Sequence, residues 1–161
     1  MGYRPKLVIP TRAALFYEDV VAWGGDLPHG VSHTIDWHPV FAGPGIGDTT
    51  GDSLVERWRK ETGRPLHQHM GVAYGNMQAL LDAIERAGTL DKEEINKAIA
   101  KTDGKYMGGR VKFTEHGSPI PLIMGQWMKV DKPELFEHKI VYSVHPEIKP
   151  MAEPIFPLPP L

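Results

Sequence analysis

Eight histidines and no cysteine set the range of chemistry open to this 161-residue chain. His67 and His69 form an HxH pair, and His29, His33 and His38 stand upstream of it. On a strand, positions i and i+2 share a face and could grip one zinc ion; on a helix they diverge. A metal-assisted hydrolase would be built on such a pair. There is no HExxH and no acidic third ligand at matching spacing, so scattered surface histidines are the stronger reading, and no metal is assigned. Without cysteine there is no thiolate, and no GxSxG elbow is present, so nucleophilic catalysis has no positive support. The Gly-rich GPGIGDTTGD at 43–52 has the look of a phosphate-binding loop. It lacks the GK[ST] ending and a strand–GxGxxG–helix setting, and reads as a connection.

Composition narrows the classes further. Hydrophobic residues make up 41% and charged residues 24%, as in a globular chain with a core. A formal net charge of −2 argues against nucleic acid as a partner, since such surfaces carry a concentrated basic stripe. No apolar run approaches the roughly 20 residues that span a bilayer. The opening MGYRPKLVIP has no apolar stretch followed by a cleavage site, so it does not read as a signal peptide.

These residues must be held by elements, and the pattern suggests which. Lys6–Ile9 is a short apolar run closed by Pro10, the expected form of a buried strand. Ala13–Trp23 suits a short helix burying Leu15, Val20 and Val21, stopped by Gly24-Gly25. Val31, His33 and Ile35 alternate with Ser32 and Thr34, the period of a strand. Trp37 to Gly51 is Gly- and Pro-rich and reads as a loop or crossing. Ser53 with Glu56 forms a capping box for a helix that Gly63 stops before Pro65.

The next helix places Met70, Ala73, Met77, Leu80, Leu81 and Ile84 on one stripe of about five turns, closed by Gly88. Asp91 and Glu94 offer a second capping box for a helix with Ile95, Ala98 and Ile99. Val111 and Phe113 alternate with Arg110 and Lys112, and Glu115-His116-Gly117 reads as a turn. Ile123–Val130 and Lys139–Val144 complete the strands, joined by DKPELFEH. The proline-rich ending, 146–161, is expected to run extended over the surface. Strand–helix–strand, then helices, then strands indicates an α/β class.

In that order, AYGNMQALLDAIERAGTLDKEEINKAIAK, GGRVKFTEHG and GQWMKV resemble the C-terminal portion of type I periplasmic binding proteins. The closer likeness is to the branched-chain amino-acid (Leu/Ile/Val) substrate-binding family of ABC transporters. GGDLPHGVSHTIDWHP is similar to that family's helix–Gly–strand leading to a hinge, and VYSVHPE before PIFPLPPL resembles the ending of one branch. The likeness covers nearly the whole chain. It implies a partial, periplasmic binding protein type I-like α/β fold, with 1–38 and 120–145 in lobe 2, 41–117 in lobe 1, and 146–161 a tail. It also implies that most of the first lobe and a signal peptide would lie upstream.

The family's function would follow: a non-enzymatic, periplasmic or extracytoplasmic solute-binding component of an importer. It would capture an amino acid or carboxylate in an inter-lobe cleft, need no cofactor, and meet ABC permease subunits. By resemblance, Pro10-Thr11-Arg12 occupies a ligand-contacting loop. Arg12 there favours an anionic ligand, because a guanidinium pairs bidentately with carboxylate. Trp37 and His38 fall at the implied hinge crossing, and Tyr74 at an aromatic position that lines the pocket in some relatives. A ligand-sensing domain of a regulator is the alternative within the same fold.

Overall fold

A computed structural model describes residues 5–114, 117–118 and 122–159. The chain divides into two compact units, Met1–Ile35 with Pro121–Leu161, and Asp36–Ile120.

The first unit is built on a three-stranded antiparallel sheet in the order β1-β4-β5, with β1 at Ser32–Thr34, β4 at Ile123–Lys129 and β5 at Phe136–Ser143. His33 lies opposite Gly125 and Trp127 opposite His138. Apolar burial collects on Ala14, Val20, Val31, Trp127 and Phe136. The Trp127 indole N–H donates to the carbonyl of Ala14 at 2.7 Å, so the largest core side chain also satisfies its polar atom.

Lys6–Ile9 does not form the expected buried strand. Leu7 and Ile9 are exposed, and the segment is held by two separate bonds, Ser32 N–H to the Val8 carbonyl and Leu158 N–H to the Lys6 carbonyl. An apolar run specifies a strand only where a neighbour offers a full ladder, and here it meets isolated donors on two sides. The expected helix 13–23 divides into a 3-10 turn at Thr11–Ala14 and α1 at Tyr17–Val21, after which Gly24 closes on Val21. β5 begins within DKPELFEH, because Phe136 and His138 are buried alternately with Glu137 and Lys139.

The second unit is mainly helical: α2 at Gly51–Thr62, α3 at Gln68–Ala87 and α4 at Lys92–Ala100, followed by the hairpin β2 Asp103–Tyr106 with β3 Gly109–Lys112. The cap of α2 is Thr50, three residues before the expected Ser53. Thr50 Oγ1 accepts from Ser53 N–H while Ser53 Oγ accepts from Thr50 N–H. Asp91 caps α4 by accepting from the N–H groups of Glu93 and Glu94, but its own N–H donates to Thr89 Oγ1 while the Glu94 carboxylate takes Lys97, so the box is left half made.

α3 spans the expected length but buries a different face. Its inward positions are Gln68, Gly71, Gly75 and Ala83, whereas Met77 is 57% and Leu81 50% exposed. Closeness decides this. A Cβ on Gly71 would lie 2.0 Å from the Trp37 ring, and one on Gly75 would lie 2.4 Å from the Gly108 nitrogen. The small residues let a side chain and a backbone approach where larger ones would collide.

The strand β2 was not legible in DGKY, whose Asp, Gly and Lys are poor strand formers. It is fixed by α3: the Tyr106 hydroxyl donates to Asp82 at 2.6 Å, and Met107 N–H donates to Gln78. Burial, and then the bond to Asp82, push the Tyr106 phenol up to about 12. The Thr114–Gly117 bridge encloses the expected turn, of which Glu115 and His116 lie outside the described residues.

Candidate functional site

Thr11 is where the first unit departs from ordinary backbone geometry. Its φ is +46°, the left-handed region, and among the described residues no other non-glycine has a positive φ. A β-branched residue reaches that region only at a cost of order 1–3 kcal/mol, so the surrounding structure must impose it. Ala13 N–H to the Pro10 carbonyl at 3.1 Å and Leu15 N–H to the Arg12 carbonyl at 3.4 Å close the turn. Buried Ala14 and Leu15 then anchor its far side, while Thr11 and Arg12 stay exposed. The result is a hydrogen-bonded turn that leaves Thr11 and Arg12 exposed, a hydroxyl and a guanidinium of the types suited to a carboxylate. Glu18 and Asp19 lie exposed in the first turn of α1.

In the second unit, Trp37 is 0% exposed and belongs to the core with Val55 and Met107. Its indole N–H donates to the Met107 carbonyl at 2.7 Å, and the ring lies against Gly71. His38 is buried beside it, its Nδ1 accepting from Val40 N–H at 3.3 Å to cap a short 3-10 turn at Pro39–Phe41.

Tyr74 is half-buried and accepts from Ile46 N–H at 2.9 Å, while the Gln78 amide donates to the Pro44 carbonyl. These two bonds pin the Gly-rich segment to α3, and Gly45 N–H to the Thr49 carbonyl closes the segment on itself. Ile46, Met70, Ala73, Tyr74, Met77 and Gln78 line an open groove of about 400 Å³. Tyr74 and Met70 of the groove pack against the Trp37 core within one unit, while Thr11 and Arg12 belong to the other.

The HxH pair straddles the start of α3: His67 is the N-cap position and His69 lies in the first turn, with ring centroids 5.4 Å apart. Trp58 packs near His67 at 6.2 Å. Among the described residues, no three His, Cys, Asp or Glu side chains are grouped to hold a metal ion.

Two clusters were not anticipated. His33, Trp127 and His138 stack across all three strands of the first unit, with centroids 5.2, 5.2 and 5.6 Å apart. Burial lowers the His33 pKa to about 4, against the opposing effect of its bond to the Thr34 carbonyl. Gln126, 2% exposed, makes four hydrogen bonds inside the same unit. A glutamine inside the apolar run IMGQWM was the available signal, because a buried amide must find partners.

Comparison with known proteins returns the fold. No family model and no curated protein matches the sequence. Among solved structures the chain is similar to the leucine binding protein LivK from Thermotoga maritima, with a TM-score of 0.67 and 22% identity. The likeness covers 88% of this chain but only 38% of that one, so the chain spans well under half its length. The fold is a partial, type I periplasmic-binding-protein-like α/β fold.

Proposed function

We propose that this chain acts in reversible solute binding, as the substrate-binding component of an ABC importer, taking up a small amino acid or carboxylate unchanged. The observation that carries this reading is the strained Thr11 backbone set directly before the exposed Arg12 guanidinium. Strain of this kind gathers at ligand clamps, and a guanidinium on a rigid turn is preorganised for an anion. The fold likeness to a leucine-binding protein supports it.

In this reading Thr11 and Arg12 read the carboxylate and Tyr74 meets ligand from its groove, while Trp37, whose core Tyr74 packs against, and His38, which caps the following turn, are buried and act as supports rather than contacts. The lobe division implied by the resemblance, 1–38 with 120–145 as lobe 2 and 41–117 as lobe 1, is kept with its boundary moved to Ile35–Asp36, since Trp37 lies in the core of the second unit, and with 146–161 joined to the first unit. The protein works outside the cytoplasm and hands its ligand to permease subunits.

The test is a thermal-shift series with L-leucine, L-glutamate, benzoate and malonate, followed by calorimetry. A ligand present at 100 times its Kd stabilises the folded state by about 2.7 kcal/mol, which is readily seen. Arg12→Ala is expected to weaken binding of the responding compound about tenfold or more, and Arg12→Lys to recover part of it. Absence of any shift across the series, or chemical turnover of a bound compound, would overturn the reading.

A further inference from the structure

The proline-rich ending is not a loose tail. Ala152, Ile155 and Leu158 are half-buried while the residues between them are exposed, so every third side chain faces the protein. The segment starts at the β5 edge, where Met151 and Ala152 N–H both donate to the Ile140 carbonyl, at 2.7 and 3.3 Å. It then meets Gln126 on β4. Ile155 N–H donates to Gln126 Oε1 at 2.7 Å, and Gln126 Nε2 donates back to the Ile155 carbonyl at 3.1 Å. The same amide nitrogen donates to the Gly30 carbonyl and to Ser32 Oγ, tying the tail to the approach to β1.

Gly30 has φ +85°, and a Cβ there would lie 2.8 Å from Leu158 and 3.0 Å from Ile155. Finally Leu158 N–H donates to the Lys6 carbonyl at 3.0 Å. The tail therefore engages β5 and β4 directly, lies over Gly30 just before β1, and ends on the segment that leads into Thr11 and Arg12.

We propose that Met151–Leu158 is a strap, latched by Gln126, that positions the Thr11–Arg12 turn. Lys6–Ile9 has no strand ladder of its own: β1 holds it through Ser32 N–H on the Val8 carbonyl, and the strap holds it through Lys6. A bond at Lys6 and another at Val8 fix the direction in which the chain enters Pro10, and with it the imposed φ of Thr11. Gln126 is a positioning residue in this scheme. Its link to ligand rests on the reading of Thr11 and Arg12 given above.

Residue-resolved hydrogen exchange on the full chain tests the strap directly. Two variants serve: Gln126→Met, which keeps the shape and removes the bonds, and a chain ending at Pro154, which removes the part of the strap that meets Gln126 and Lys6 and leaves Gln126 in place. In both, the Ser32, Ala13 and Leu15 amides are expected to exchange at least tenfold faster, while the β4–β5 amides change little. A synthetic peptide of residues 153–161 added to the shortened chain should restore protection. Unchanged exchange at Ala13 and Leu15 in either variant, faster exchange confined to Ile155 and Leu158 in Gln126→Met, or loss of the β4–β5 protection together with the rest, would overturn the proposal. Binding of L-leucine and benzoate is measured on the same variants. If exchange at Ala13 and Leu15 responds but neither compound binds even the unaltered chain, the strap stands and the ligand assignment falls.

Discussion

Both units contain hydrogen bonds between residues far apart in sequence, Trp37 to the Met107 carbonyl among them, but they differ in emphasis. The first is wired: Trp127 to the Ala14 carbonyl, Gln126 to Gly30, Ser32 and Ile155, and Leu158 to Lys6 all join residues more than 25 positions apart through one or two hydrogen bonds each. The second is fitted: Gly71 beneath the Trp37 ring and Gly75 against Gly108 bring surfaces closer than any side chain would allow. Wiring tolerates volume changes but depends on each polar partner being present. Close fitting ignores pH but fails with the addition of one carbon.

Placing valine at Gly71 should give the largest effect. The new atoms must displace Trp37, and the second unit is expected to lose about 3 kcal/mol in urea unfolding. A neutral Gly71→Val would remove the distinction between the units altogether.

Acid should act in the other direction. His33 holds a pKa of about 4 in the folded state, lowered from 6.5, so it stays neutral while the unfolded chain takes a proton. Stability from this group is undiminished above pH 6.5 and is lost as pH falls toward 4, by about 3 kcal/mol at 1.36 kcal/mol per unit. The loss should register in exchange at β4 and β5 amides and be much reduced in His33→Phe, which keeps a ring in the stack. An unchanged pH profile in that variant would show that the stack is not the acid-sensitive element.

The smallest effect separates two readings of one helix start. Thr50→Ala should cost about 1 kcal/mol, measured by chemical denaturation, whereas Glu56→Ala should be close to silent. Equal costs would restore the Ser53–Glu56 box that the spacing suggests.

Much of the helical half could be read directly. Gly63 and Gly88 end α2 and α3 as expected, both at positive φ, since that conformation is intrinsic to residues without a Cβ. The inward face of α3 could not be read, because apolar size marked Met77 and Leu81 while the fold selected the small residues opposite Trp37. For the candidate site, the sequence offered Arg12 as a charged group after an apolar run, but nothing in Pro10-Thr11-Arg12 announces a left-handed threonine. That conformation is imposed by the bonds around it.

The sequence by itself determined where α2 and α3 stop, which strand carries Trp127, and that a guanidinium follows the first apolar run. Those properties are local and depend on residues within a turn of one another. Only the tertiary structure decided that Lys6–Ile9 would be held by two lone bonds and that a proline-rich ending would cross a sheet. The same holds for Gln126, which gathers partners from both ends of the chain. Each of these depends on groups far apart in sequence meeting in a low-dielectric interior, where an unmet amide costs more than the ordering needed to satisfy it.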